Sequence, residues 1–124
     1  MTKTTLTDGS PVTPDHREIN PSTGQQKGYV VLSAEERAKG FVRPVRRTYV
    51  HQFMRDGSPV PLVITHRDKA LMGGCGGATT MGQSLAETYA REPGFYSGTF
   101  CVGCRTHLPL AEFVWDGTQE VLGS

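Results

Sequence analysis

Three cysteines are the residues of this 124-residue chain whose type and spacing favour a specific chemistry. Cys101 and Cys104 are separated by two residues, and Gly103 eases the tight turn that aims both thiols at one point. Cys75 lies in a second turn of the same kind, the run Gly73-Gly-Cys-Gly-Gly. Structural zinc is held by four nitrogen or sulfur ligands in a tetrahedron, and three cysteines with one histidine form an ordinary set. The spacing therefore predicts one structural Zn²⁺ ion.

The fourth ligand is expected among the histidines. His51 alternates with aromatic residues in a β-prone run, and the strand period of two turns it inward with them. His107 follows the cysteine pair closely and is the alternative ligand. His66 ranks third, and His16 is discounted because it lies in a polar N-terminal segment. We predict the ligand set Cys75, Cys101, Cys104 and His51.

A Cys-x-x-Cys pair also occurs in thiol redox proteins, where a helix follows the motif and lowers the thiol pKa. Here Pro109 lies soon after Cys104 and disfavours such a helix. Unliganded buried cysteines are the third interpretation, and the odd count excludes complete disulfide pairing. Glu87 and Glu112 have no recognisable partner in the sequence, and no spaced nucleophile or phosphate-loop motif is present. The sequence thus predicts a non-enzymatic protein.

The elements that position these residues are short. Ser33 and Glu36 form a capping-box pattern that predicts a helix ending by Gly40. A second helix is expected over residues 81–91, and short strands over residues 28–32, 95–100 and 112–115. Asp56-Gly57 predicts the turn of a β-hairpin over residues 47–64. In that hairpin the expected pairs are Phe53 with Val60, His51 with Leu62, and Tyr49 with Ile64.

The first 27 residues are rich in polar residues, proline and glycine. Such a segment buries too little apolar surface to offset the entropy of ordering it. We predict a flexible, disordered arm over residues 1–27 and a zinc-ribbon-like domain over residues 28–124. The predicted fold class is α+β, with short β-hairpins and one or two helices.

The basic side chains are concentrated in one stretch. Between residues 37 and 55 the chain carries six basic residues and no acidic residue: Arg37, Lys39, Arg43, Arg46, Arg47 and Arg55. Arginines offer bidentate donors to phosphate, and an aromatic ring such as that of Tyr49 can stack on a base. We predict that Arg43, Arg46, Arg47 and Tyr49 contact nucleic acid or a protein partner. A solvated basic face is the alternative interpretation.

The N terminus lacks the apolar stretch of a secretory signal, and no segment is long and apolar enough to span a membrane. We therefore expect no membrane association. The expected location is the cytoplasm of a host cell, or a virus particle.

Five stretches resemble small phage and prophage proteins, and together they cover about the last two-thirds of the chain. They are the run from Gly40 to His51, Cys75-Gly-Gly-Ala-Thr-Thr-Met81, Leu85-Ala-Glu-Thr-Tyr-Ala-Arg91, Phe95-Tyr-Ser-Gly-Thr-Phe-Cys-Val-Gly-Cys104, and the run from His107 to Trp115. The resemblance implies a zinc-ribbon core and implies no biochemical activity. In some such proteins a histidine lies just before the equivalent of Cys75, whereas here residues 52–74 separate His51 from it.

The expected function is therefore that of a zinc-stabilised binding module of phage type. A structural component of a phage particle is the alternative, and a thiol redox or metal-dependent enzyme is a further one.

Overall fold

A computed structural model describes residues 3–123. Over that range the fold is mixed α+β, with many short strands and few helices, which confirms the predicted class. The strands pair in antiparallel sheets of two or three strands. In chain order the elements are β1 Thr4–Leu6, β2 Val30–Leu32, α1 Ala34–Arg37, β3 Thr48–His51, β4 Phe53–Met54, α2 His66–Lys69, β5 Met72–Gly73, β6 Ala78–Thr80, α3 Gln83–Arg91, β7 Gly98–Cys101, β8 Thr106–Pro109, a 3-10 helix Leu110–Glu112, and β9 Phe113–Trp115.

The described residues form two compact units. Unit 1 comprises residues 3–47 and 81–95, and unit 2 comprises residues 48–80 and 96–123. The separate domain that the sequence predicts over residues 28–124 remains a prediction.

Unit 1 is built from the β1–β2 sheet and two helices. Ser33 caps α1, since its hydroxyl accepts a hydrogen bond from the amide of Glu36 at 3.3 Å, as the capping pattern predicts. β2 lies against α3, where the hydroxyl of Thr88 accepts a hydrogen bond from the amide of Leu32 at 3.1 Å. The same hydroxyl donates to the carbonyl of Ser84 at 2.8 Å. A buried polar side chain thus joins the helix to the sheet.

The N-terminal segment is ordered by its backbone. Thr4 pairs with Leu32 and Leu6 with Val30, so β1 completes the sheet of unit 1. Backbone hydrogen bonds such as that from the amide of Gly28 to the carbonyl of His16, 3.0 Å, hold the turns that follow. The prediction of a disordered arm is therefore wrong for residues 3–27. Its side chains are mostly exposed, as the composition indicates, but strand pairing and turns satisfy much of its backbone.

The centre of unit 2 is a three-stranded sheet in the order β6-β3-β9. Tyr49 pairs with Thr79 on one side and with Trp115 on the other. The Tyr49 ring meets Phe113 edge-on at 5.3 Å between ring centroids, and Trp115 at 6.3 Å. Tyr49, Phe113 and Trp115 are all buried. This aromatic cluster fixes β3, the strand that ends at His51.

The predicted hairpin over residues 47–64 does not form. Asp56-Gly57 does lie at a turn, in which the amide of Gly57 donates to the carbonyl of Met54 at 3.0 Å. β4 then pairs with β5, and both edges of β3 are taken by β6 and β9. Pro59 and Pro61 lack the amide donors that a ladder needs. The expected pairs of Phe53 with Val60, His51 with Leu62, and Tyr49 with Ile64 are therefore wrong.

Within the described part of the chain, no helix has the length and apolar character that crossing a bilayer requires.

Candidate metal centre

β3 positions the histidine. Along this strand Tyr49 and His51 are buried while Thr48 and Val50 are partly exposed, which is the predicted period of two. The imidazole of His51 is therefore directed into unit 2. There it lies 4.9 Å from the ring of Phe113 and 6.1 Å from that of Phe53, measured between ring centroids.

The glycine-rich turn positions Cys75 against His51. The amide of Gly76 donates to the carbonyl of His51 at 2.9 Å, and the amide of His51 donates to the carbonyl of Gly77 at 3.0 Å. Gly74 has a φ of 96°, and a Cβ atom there would lie 2.2 Å from the carbonyl oxygen of His51. Only glycine allows this approach, so the turn holds the Cys75 thiol beside the imidazole.

The Cys101–Cys104 turn brings in the other two thiols. The amide of Arg105 donates to the carbonyl of Cys101 at 2.7 Å, and Arg105 has a left-handed φ of 56°. The amide of Cys104 points at the sulfur of Cys101 at 3.4 Å. A Cβ atom on Gly103 would lie 2.6 Å from the sulfur of Cys75. The absence of a side chain at Gly103 therefore lets the two cysteine turns approach each other.

Four potential ligand atoms converge in unit 2. One ring nitrogen of His51 and the sulfurs of Cys75, Cys101 and Cys104 all lie within 4.8 Å of one another. The sulfurs of Cys75 and Cys101 are 3.4 Å apart, and the sulfur of Cys104 is 3.4 Å from Nδ1 of His51. Zinc–sulfur bonds of about 2.3 Å in a tetrahedron would separate two sulfurs by about 3.8 Å. The four side chains are therefore close enough to bind one metal ion.

The thiols differ in acidity. Desolvation opposes ionisation of Cys75, but hydrogen bonds with the amide of Gly77, with His51 and with the other two thiols lower its pKa to about 7. The pKa of Cys104 is raised to about 11. Desolvation is the largest cause, and the thiols of Cys101 and Cys75 add to it. Three thiolates at this spacing repel one another, and a divalent cation among them would offset that repulsion.

Glu112 is the site residue that the sequence did not reveal. Its carboxylate lies 2.8 Å from Nε2 of His51, the ring nitrogen that faces away from the sulfurs. Glu112 is the last residue of the 3-10 helix, directly before β9, in which Phe113 pairs with His51. Only the pairing of β9 with β3 places Glu112 beside the histidine, and the sequence carries no local signal of that pairing. Glu87, the other unassigned carboxylate, binds Arg37 at 2.6 Å in unit 1.

The other histidines lie outside this cluster. His107 is on β8, opposite Phe100, and its ring packs at 5.5 Å from the phenyl ring. Burial lowers the pKa of His107. His66 is an exposed residue at the start of α2. Nδ1 of His16 lies 2.8 Å from the carbonyl of Thr13, in the N-terminal turns.

The predicted binding residues have unequal surroundings. Arg43 and Arg47 are exposed and Arg46 is partly exposed. Arg47 donates through Nε to the carbonyl of Met81 at 3.0 Å. Tyr49 is 2% exposed and donates its hydroxyl proton to the carbonyl of Phe100. Tyr49 belongs to the core of unit 2, and its predicted contact with a partner stays a prediction.

No family model matches the chain, and no curated protein or solved structure matches it.

Proposed function

We propose that the protein is a non-enzymatic binding module in which one structural Zn²⁺ ion stabilises unit 2. The observation that carries this proposal is the convergence of His51 with Cys75, Cys101 and Cys104 within 4.8 Å. Three thiolates and one imidazole complete a tetrahedral shell, and a structural zinc site differs from a catalytic one in having no open position. The ion would therefore hold chain segments together and would not activate a substrate.

Thiolate and imidazole ligands favour zinc over magnesium, calcium or manganese, which prefer oxygen. A zinc-ribbon-like arrangement is supported by the two glycine-containing cysteine turns and the short antiparallel strands beside them. The resemblance to phage and prophage proteins points the same way. The redox alternative receives less support, because β8 rather than a helix follows Cys104, and a helix N terminus is the usual means of activating such a thiol.

Purified protein tests the metal proposal. Zinc is expected to copurify at equimolar ratio, and cobalt(II) in its place should give the intense visible absorption of a tetrahedral thiolate complex. Cys101→Ser should weaken the sulfur-to-cobalt charge-transfer band, whereas Ser97→Ala, an exposed substitution in the same unit, should leave it unchanged. A protein that binds neither zinc nor cobalt would refute the proposal.

The proposed binding surface is the basic segment, residues 41–47 of unit 1. This segment has no helix or strand, and Phe41, Val42 and Val45 are exposed beside the arginines. Two of the six basic residues noted in the sequence already have acidic partners, since Arg37 binds Glu87 at 2.6 Å and Lys39 binds Glu36 at 2.9 Å. We assign Arg43, Arg46 and Arg47 to a partner because they lie within residues 41–47.

Nucleic acid is the anionic partner that this segment favours. Arginine matches the geometry of phosphate, and the exposed ring of Phe41 is available for stacking on a base. Bound arginines release counterions from nucleic acid, so the affinity should fall steeply with salt.

Arg43→Ala tests this surface, because the Arg43 side chain is exposed. Its Nη1 donates a hydrogen bond to the carbonyl of the adjacent Val42 at 3.0 Å. The variant should bind single-stranded DNA or RNA more weakly and reduce the salt slope by about one unit. Arg67→Ala, an exposed arginine on α2, is the matched control. Equal binding by Arg43→Ala and the parent would contradict the assignment, and binding only to a protein would favour an acidic protein partner.

A further inference from the structure

We infer that Glu112 is the positioning residue of the metal centre: its carboxylate selects Nδ1 of His51, rather than Nε2, as the metal-binding nitrogen. The inference deepens the proposed function and rests on it. A neutral imidazole has one protonated and one unprotonated nitrogen, and only the unprotonated one can bind a metal. The groups that face each nitrogen therefore decide which one it is.

The two nitrogens of His51 face groups of opposite kind. Nε2 lies 2.8 Å from Oε1 of Glu112, which only accepts when ionised, so this nitrogen carries the proton. Nδ1 lies 3.1 Å from the backbone amide of Cys75, which donates to it, so Nδ1 is the unprotonated nitrogen, and a bound metal ion would replace that hydrogen bond. Nδ1 is also the nitrogen 3.4 Å from the sulfur of Cys104. Both neighbours assign the same tautomer, with the lone pair among the thiols.

The ring has little freedom to reverse this orientation. The His51 side chain is 6% exposed, and the rings of Phe113 and Phe53 lie at 35° and 33° to the imidazole plane. A flipped ring would turn a C–H toward the carboxylate and lose the hydrogen bond to Glu112. The hydrogen bond to Glu112 therefore favours this ring orientation, in addition to the restriction that the two phenyl rings impose.

Glu112 is itself held in place by the backbone. Its carbonyl accepts a hydrogen bond from the amide of Gln52, the residue after the ligand, at 3.0 Å. The adjacent Phe113 pairs with His51 across β3 and β9. The Glu112 side chain is 30% exposed, so a shorter or neutral side chain can replace it without burying a new polar group.

A carboxylate on the outer nitrogen makes the imidazole a stronger ligand and fixes its direction. Loss of such a partner typically weakens metal binding about 10–100-fold. The same loss is expected here, in a site whose other three ligands are cysteines.

Two variants test the inference by competition of zinc with a chromogenic chelator. Glu112→Ala removes the acceptor and should raise the zinc Kd about 10–100-fold. Glu112→Gln keeps an acceptor oxygen and should raise it less, since a neutral amide is a weaker acceptor than a carboxylate. Glu120→Ala, an exposed glutamate in the same unit, is the control and should leave the Kd unchanged.

Nitrogen-15 NMR of the His51 ring provides a readout that a merely structural role would not change. In the zinc-loaded parent, Nδ1 should carry the metal and Nε2 the proton. In Glu112→Gln the Nε2–H proton signal should move upfield as its hydrogen bond weakens. If Glu112→Ala does not fold, this shift decides the matter, and an unchanged Nε2–H signal in Glu112→Gln would overturn the inference.

The two proposals fail in different ways. A parent that binds no zinc but keeps the proton on Nε2 overturns the metal proposal. A parent that binds zinc through Nε2, or a folded Glu112→Ala with the parent's zinc Kd, overturns the role of Glu112 alone.

Discussion

Two glycines allow the close approaches on which the His/Cys cluster depends. A side chain on Gly103 would collide with the sulfur of Cys75, and one on Gly74 would collide with the carbonyl of His51. The backbone has to come this close because four potential ligand atoms from three separate stretches converge. These glycines therefore contribute to the geometry of the cluster.

His51→Ala should remove a ligand, whereas His107→Ala should not. His51 lies in the cluster, and His107 packs on Phe100 in the β7–β8 hairpin. After dialysis against a mild chelator, the first variant should retain much less than equimolar zinc and the second should retain equimolar zinc, as measured by elemental analysis. The same zinc content in both variants would contradict the assignment of His51.

The four residues of the His/Cys cluster could be predicted from the sequence, because their signals are local. The two-residue spacing of Cys101 and Cys104, the glycines around Cys75 and the strand period at His51 each act over a few residues. Glu112 could not be predicted, because it reaches His51 only through the register of β9 on β3. The burial of Tyr49 depends on the same non-local pairing, since Phe113 and Trp115 on β9 cover its ring.

At the scale of the elements, Thr88 connects α3 to the sheet of unit 1. Its hydroxyl is fully buried, accepts from the amide of Leu32 and donates to the carbonyl of Ser84. Thr88→Val keeps the shape and removes the acceptor, which leaves the buried Leu32 amide without this hydrogen bond. Such a loss costs about 1–3 kcal/mol.

Urea unfolding measures this cost. Thr88→Val should lower the midpoint at unchanged slope, while Thr106→Val, an exposed threonine on β8, should leave the midpoint close to that of the parent. Equal midpoints for Thr88→Val and the parent would show that the hydrogen bond contributes no net stability.

Local signals predicted α1 and α3, but neither α2 nor the pairing of β4 with β5 was predicted. Ser33 and Glu36 identify α1 by a local capping interaction, and α3 occupies residues 83–91 of the expected 81–91. The prediction of a hairpin over residues 47–64 was wrong, because the turn signal at Asp56-Gly57 does not determine which strands pair. The prolines at 59 and 61 prevented the expected ladder, and β5 took its place beside β4.

At the scale of the whole molecule, removal of metal should destabilise the protein strongly. A ligand that binds only the folded state adds its binding free energy to the free energy of unfolding. A strong chelator should therefore lower the melting temperature, whereas the same chelator saturated with zinc should not.

Hydrogen exchange identifies the part of the chain that loses stability when the metal is removed. Exchange should accelerate at the amides of His51 and Gly76, which bond across the ligand turn. An identical melting curve and unchanged exchange with and without chelator would contradict a stabilising metal.

The spacing of the ligands along the chain also has a consequence for the order of folding. Cys101 and Cys104 are three positions apart, whereas Cys75 lies 26 positions before Cys101 and His51 a further 24 before Cys75. Contacts between distant positions must first offset the entropy of closing the intervening loop, so they tend to form late. During refolding, the local cysteine pair is expected to come together before Cys75 and His51 reach it. If the proposed metal ion binds to this pair first, the two distant residues of the cluster would join it last.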